Sequence, residues 1–92
     1  MHDLTGFQRD LLYVIAGQDE PYGLEVKDEL EEYYENEINN GRLYLNLDTL
    51  TEKGLVTKGE VDKRTNSYTI TKRGERELDA RHWWKGQYVD LD

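Results

Sequence analysis

Four side chains between residues 42 and 53 have the spacing of one helical face, and all four can form hydrogen bonds. They lie at i, i+4, i+7 and i+11, and they are Arg42, Asn46, Thr49 and Lys53. Arginine and asparagine can pair with the edges of bases, while hydroxyl and ammonium groups bind phosphate oxygens. Tyr44 flanks this face and adds a further hydroxyl. The pattern indicates either a helix that contacts a nucleic acid or the ordinary polar face of an amphipathic surface helix.

A second group of phosphate-binding side chains follows, and most of them are cations. They are Lys63, Arg64 and Asn66, in a polar stretch over residues 62–66, and Lys72 and Arg73, where a later helix is expected to begin. A cation in the first turn of a helix opposes the helix dipole at a cost of about 0.3–1 kcal/mol. Because Arg42 also opens its helix, positive charge occurs at two helix starts, as a polyanion partner would require.

The net charge of −8 conceals an uneven distribution of charge along the chain. Residues 1–52 hold thirteen acids and three basic residues, whereas residues 53–76 hold seven basic residues and three acids. A protein that binds nucleic acid usually presents a basic surface. The segment 53–76 is therefore where we expect an anionic partner, and the crowded acids of the second helix indicate a solvated face.

The apolar residues recur first with a helical period and then in alternation. This pattern predicts helices over 5–17, 22–37 and 42–53, strands over 55–58 and 67–71 joined by a hairpin tip at 62–66, and a last helix from 72 to past 84. Thr5 and Gln8 have the spacing of a capping box. Leu43, Leu47 and Leu50 must face the core, which puts the four polar residues of the third helix on the opposite side.

This order of elements predicts an α+β fold that is mainly α. We expect a winged helix-turn-helix made of three helices, a two-stranded β-hairpin wing and a C-terminal helix. Residues 1–92 are expected to form one domain, with the winged-helix core over 1–71 and the C-terminal helix over 72–92. In such a fold the third helix enters the DNA major groove, and the wing lies across the adjacent backbone.

The C-terminal helix carries adjacent tryptophans, Trp83 and Trp84, which point about 100° apart on a helix. Both cannot face one small core, so at least one is expected to be buried against a second copy of the chain, unless both fold back onto their own domain. Leu78 and Tyr88 extend this predicted dimer interface. A homodimer would place two recognition helices ~34 Å apart, on successive major-groove faces.

Enzyme chemistry has little support in the sequence. The chain has no cysteine, and His2 and His82 lie far apart with no metal-ligand spacing. It has neither a glycine-rich phosphate loop nor a nucleophile motif, so we expect no enzyme, no cofactor and no metal. No segment reaches the ~20 apolar residues of a membrane span, which predicts a cytoplasmic protein with no membrane partner.

Three segments resemble the PadR family of transcriptional regulators. Residues 41–56 look like the family's recognition helix and first strand, residues 68–74 like its wing return, and residues 22–26 like the opening of its second helix. The resemblance implies a homodimer that binds double-stranded DNA, often as a repressor of stress-response or detoxification genes. Leu45 stands where the family usually has proline, and the C-terminal helix is shorter than in many members.

Two further interpretations of the sequence remain open. The main alternative is a winged-helix protein-interaction module without DNA contact, whose acidic second helix meets a basic partner. A small acidic mimic of nucleic acid is a more distant option, and the basic segment 53–76 argues against it.

The acidity of the chain is typical of proteins from halophilic archaea, which suggests DNA binding that tolerates high salt. Any small-molecule effector is unknown from the sequence.

Overall fold

The computed structural model describes residues 2–89. In chain order the elements are α1 (Gly6–Gly17), α2 (Gly23–Tyr34), α3 (Asn40–Glu52), β1 (Val56–Asp62), β2 (Thr65–Ile70) and α4 (Lys72–Gly86). The two strands form one antiparallel hairpin between α3 and α4. The expected mainly helical winged helix-turn-helix is therefore confirmed. Among residues 2–89, no helix is long and apolar enough to cross a membrane.

Local hydrogen bonds set the helix boundaries. The Thr5 side chain accepts from the Gln8 backbone N–H, and the Gln8 side chain accepts from the Thr5 N–H in return, so the expected capping box begins α1. The prediction for α2 was three residues too long, because Glu35 adopts a left-handed conformation (φ 57°) and ends the helix. The α3 helix begins at Asn40, two residues earlier than predicted, since the Asn39 side chain caps it by accepting from the Arg42 N–H.

The hairpin is longer than expected, and its turn is shorter. Val56 pairs with Ile70 at the base, the pairing runs to Asp62 and Thr65, and the register shifts between Glu60 and Asp62. Only residues 63 and 64 remain for the turn. The α1–α2 loop joins the hairpin near its base, because the N–H of Tyr68 donates to the carbonyl of Pro21. The wing is thus a two-stranded arm that extends from a fixed base.

Fifteen buried hydrophobic side chains form one core cluster of the described residues. The leucine stripe of α3 lies wholly within it, since Leu43, Leu47 and Leu50 are fully buried. Tyr68 of the wing closes the core from the side of the sheet, and burial raises its pKa to about 12. Each fully buried side chain of this size contributes roughly 1.5–3 kcal/mol. The core therefore fixes which side of α3 faces inward.

The junction between the wing and α4 is close-packed. Thr71 caps α4 by accepting from the Gly74 N–H, and its hydroxyl donates back to the carbonyls of Gly54 and Leu55. A Cβ added at Gly74 would overlap the carbonyl oxygen of Leu55. Only glycine fits there, so this residue allows α4 to begin directly against the end of α3.

Candidate nucleic-acid interface

The four polar residues predicted as one exposed face of α3 lie on the flank that turns toward α1, called here the α3 flank. The Arg42 guanidinium lies 3.8 Å from the centre of the Phe7 ring. The amide nitrogen of Gln8 donates to Asn46 Oδ1 at 2.9 Å. Lys53 Nζ lies 3.0 Å from a carboxylate oxygen of Asp3. The prediction that these residues lie opposite the leucine stripe was wrong, because α1 and the N-terminal segment pack beside that flank.

Further contacts hold the α3 flank. The Asn46 side chain donates to the Arg42 carbonyl at 2.7 Å, and the Thr49 hydroxyl donates to the Leu45 carbonyl at 3.1 Å. The pair of Lys53 and Asp3 is exposed on both sides, and the hydrogen bond from Lys53 lowers the pKa of the Asp3 carboxyl. All four residues therefore form contacts within the chain.

Two aromatic rings, those of Phe7 and Tyr34, support the Arg42 guanidinium on the side toward α1 and α2. Phe7 packs against Tyr34 with 6.4 Å between ring centres, and the Tyr34 hydroxyl donates to the Asp10 carboxylate. Burial, with this hydrogen bond to Asp10, raises the pKa of Tyr34 to about 12. The stack joins α1, α2 and α3, so the position of Arg42 depends on three helices.

The side of α3 opposite the leucine stripe carries other residues, called here the outward face. They are Gly41, Leu45, Asp48 and Glu52, and all four are exposed. Leu45 is 68% exposed, which is unusual for a leucine in the middle of a helix. A step of 100° per residue from the stripe of leucines points to these positions, so a stricter helical projection could have found them. The sequence prediction missed them because it selected residues by hydrogen-bonding type.

Tyr44 lies on the other flank of α3, toward the wing, next to Asp48 of the outward face. Asp48 is 3.5 Å from Lys58 Nζ, and its charge helps to raise the pKa of the buried Tyr68, after burial itself. A Cβ added at Gly23 would lie 2.9 Å from the ring of Tyr44, so that ring packs on the start of α2. Tyr44 remains partly exposed and keeps its place beside the outward face.

The turn of the wing presents Lys63 and Arg64, both exposed, as expected from the sequence. Asp62 orders the turn by accepting from the Arg64 backbone N–H at 2.8 Å, and this hydrogen bond lowers the pKa of the Asp62 carboxyl. Within residues 2–89, neither cationic side chain forms an ion pair. Asn66 lies lower on the wing, half-buried and paired in register with Glu60.

Lys72 and Arg73 are exposed in the first turn of α4. The structure brings Arg73 next to Lys53, in a shallow cleft that three acids also line. These acids are Asp3, Glu52 and Glu77. The basic segment 53–76 is therefore not a uniformly basic surface, because Asp3 from the N-terminal segment and the two acids that flank the segment, Glu52 and Glu77, share this cleft with its cations.

The C-terminal half of α4 carries a separate set of exposed aromatic side chains. Trp83 is 71% exposed, Trp84 48% and Tyr88 70%. Trp84 and Tyr88 contact each other edge-on, with ring centres 5.3 Å apart. The alternative in which both tryptophans fold back onto their own domain is thus excluded. Leu78 is a correction to the predicted interface, because it is 9% exposed and belongs to the core of its own chain.

This arrangement of three helices, a hairpin wing and a closing helix is that of the winged-helix DNA-binding proteins. A zinc-responsive MarR family member, Lactococcus lactis ZitR, shares the fold with a TM-score of 0.62 at 17% identity, over 96% of this chain and 65% of that chain. RosR structures are much more similar. A RosR complex matches with a TM-score of 0.91 and 48% identity, over 99% of this chain and 80% of that chain.

A structure of H. salinarum RosR also matches, with a TM-score of 0.86 and 49% identity over 98% of this chain and 82% of that chain. None of the curated proteins matches. The model of the transcriptional regulator PadR-like family matches residues 11–80. The chain therefore belongs to the PadR-like family and is a DNA-binding transcriptional regulator and not an enzyme. Among residues 2–89, no group of three or more acidic or histidine side chains could hold a metal ion.

Proposed function

We propose that the protein works as a homodimer that places α3 in the DNA major groove and the wing on the phosphate backbone. It represses stress-response genes in the cytoplasm, where the chromosome lies. The observation that carries this proposal is the turn of the wing, where Lys63 and Arg64 are exposed and form no ion pair within residues 2–89. Unpaired cations at the end of the two-stranded wing suit the phosphates beside a major groove.

The outward face of α3 suits base edges better than phosphates. Leu45 can contact the methyl group of thymine, and Asp48 can accept from the amino group of cytosine. Arg42, Tyr44, Asn46, Thr49 and Lys53 are the contacts expected from the sequence. In this proposal they act at the border of the groove, because intrachain contacts hold Arg42, Asn46 and Lys53 beside α1 and the N-terminal segment, whereas Tyr44 packs on the start of α2.

The acidic surface limits which interactions can supply the affinity for DNA at high salt concentration. Counterion release, which drives ordinary DNA binding, weakens steeply as salt rises. Hydrogen bonds, water and cation-mediated contacts then supply more of the affinity. We expect fluorescence anisotropy with a selected duplex to show binding that persists toward molar potassium chloride. A monotonic loss of binding over that range would contradict this part of the proposal.

The second subunit is proposed to cover Trp83 and Tyr88. Trp83 points away from its own core, and an indole with 71% exposure is costly to leave in water. Trp84 lies on the side of the same helix nearer α1, and it contributes through its contact with Tyr88. The interface would continue along this helix in both subunits, since a twofold contact uses the same surface twice.

Two experiments test the proposal. Trp83→Ser should shift the mass measured by light scattering from dimer to monomer, whereas Leu24→Ser, a matched exposed apolar position on α2, should leave it unchanged. Genome-wide occupancy mapping with transcript levels after deletion tests regulation, and genes beside bound sites should rise on deletion. If no duplex is bound at any salt concentration, the alternative of a protein-interaction module without DNA contact is favoured.

A further inference from the structure

Asn40 and Gly41 begin α3, and both are exposed. The side-chain amide of Asn40 forms no hydrogen bond within residues 2–89. The N–H of Gly41 has no acceptor in that part of the chain either, because it lies in the first turn of the helix and the Asn39 side chain accepts from Arg42 instead. An asparagine amide without a partner therefore stands directly before a backbone nitrogen without an acceptor.

These two groups can react with each other. The backbone nitrogen of Gly41 bonds to Cγ of Asn40, and the side-chain nitrogen leaves as ammonia with the proton of the Gly41 N–H. The product is a five-membered cyclic imide. Water then opens one of the two imide carbonyls, which leaves either aspartate or isoaspartate, the isomer whose main chain runs through Cγ. Nothing is oxidised or reduced, and water is the only co-reactant.

The structure favours this reaction at Asn40 over the other asparagines. A glycine after the asparagine places no Cβ in the path of the attacking nitrogen. The other four asparagines are all followed by residues with side chains, and they are Asn36, Asn39, Asn46 and Asn66. The side chains of the first three form hydrogen bonds, and Asn66 lies in the paired part of β2.

The first turn of α3 controls how often the reaction can occur. A helical main chain at Asn40 keeps the nitrogen of Gly41 away from Cγ, so the turn must open before the ring can close. Terminal turns open at a small cost in free energy. The Asn39 cap closes this one, because its side chain accepts from the Arg42 N–H at 3.1 Å. The rate of conversion should therefore depend on that cap.

We propose that Asn40 is a site of spontaneous deamidation and that its conversion weakens DNA binding. A carboxylate in the first turn suits the helix dipole, so the fold is retained. The same charge stands at the end of α3, where it repels phosphates. This loss of affinity rests on the proposed function, in which α3 enters the major groove, whereas the chemical conversion does not.

Peptide mapping by mass spectrometry tests the site with no DNA present. The protein is aged in mildly alkaline buffer at constant potassium chloride, and loss of the amide is followed at each asparagine. Asn40 should convert roughly tenfold faster than the other four, because only its neighbour lacks a Cβ. Conversion of Asn40 no faster than that of Asn66 in the wild type would overturn the proposal.

Two variants of the cap test the control of the reaction. Asn39→Ala should speed conversion about fivefold, the factor that corresponds to one typical N-cap, whereas Asn39→Ser keeps a capping oxygen and should convert like the wild type. Thermal unfolding checks that both are folded. If Asn39→Ala is not, the wild-type map decides alone. Equal rates in two folded variants would refute the role of the first turn.

The effect on DNA is measured by fluorescence anisotropy. Asn40→Asp reproduces the charge of the product, and Asn40→Gln is the matched neutral control, whose longer side chain would have to close a six-membered ring. Asn40→Asp should bind about tenfold more weakly than Asn40→Gln, with equal thermal stability. Equal affinities would overturn the effect on binding. If the wild type binds no duplex, the proposed function fails, and the peptide map still decides whether Asn40 is the modified residue.

Discussion

The α3 flank and the turn of the wing carry the same kinds of side chain, but the fold uses them differently. On the α3 flank, Arg42 stacks on Phe7 and Lys53 pairs with Asp3. At the turn of the wing, Lys63 and Arg64 are exposed, with no ion pair inside the described part of the chain. Cations of the first kind position a helix, and cations of the second kind are ready for an external anion. Residue type alone therefore does not identify a phosphate contact.

Gly74→Ala has the largest expected effect, because it breaks the junction on which both regions depend. The added Cβ would overlap the Leu55 carbonyl and lie 2.7 Å from Cγ1 of Ile70. We expect the free energy of unfolding to fall by about 3 kcal/mol, the upper part of the range for overpacking. Urea denaturation measures it. Gly17→Ala is the control, since its Cβ would meet nothing within 4 Å, and equal losses in both variants would refute the packing argument.

The double variant Lys63→Gln with Arg64→Gln tests how much the turn of the wing contributes to DNA affinity, independently of the α3 flank. We expect DNA binding to weaken about tenfold with unchanged thermal stability, because these side chains make no ion pair in the described structure. Two lost phosphate contacts should also reduce the slope of log K against log salt by roughly 1.8. Anisotropy over a potassium chloride series measures both. Lys58→Gln, whose ammonium faces Asp48, is the matched control and should change affinity less.

Arg42→Ala should lower both the stability of the fold and the affinity for DNA. The wing variant should lower the affinity alone. Its guanidinium contributes roughly 0.5–1 kcal/mol through the ring of Phe7, the range for exposed cation–π contacts. Thermal and urea unfolding should show a loss of that size, together with weaker DNA binding. Arg42→Lys should recover part of the stability. If Arg42→Ala has the same free energy of unfolding as the wild type, the contact with Phe7 does not stabilise the fold. The contrast between the α3 flank and the turn of the wing would then be refuted.

Acid should alter the turn of the wing only at low pH, and this is the smallest expected effect. The hydrogen bond from the Arg64 N–H lowers the pKa of the Asp62 carboxyl. The contribution of this bond to stability is therefore complete above the ordinary aspartate pKa of ~3.9, and it is lost as the pH falls through the lowered pKa. The amide shift of Arg64 followed by NMR should report this midpoint. A midpoint at or above the ordinary value would show that the bond does not order the turn.

Local features of the sequence were enough to predict most of the fold. The capping box at Thr5 and Gln8 and the leucine stripe of α3 form as expected, and the last helix begins at Lys72 as predicted. Each depends on residues within three or four positions of one another or on one helical period. The end of α2 was placed too far along, because the left-handed conformation of Glu35 has no clear signal in its residue type.

The polar side chains of the DNA-binding segment were evident from the sequence alone, because a helical face and a hairpin turn are patterns of nearby residues. The tertiary structure alone decided which of them are held and which are free. Phe7, Gln8 and Asp3 lie more than thirty residues before their partners on α3, so the contacts exist only after α1 has packed beside α3. Packing placed that flank beside α1 and left Leu45 and its neighbours facing out, since the core fixes the rotation of the helix.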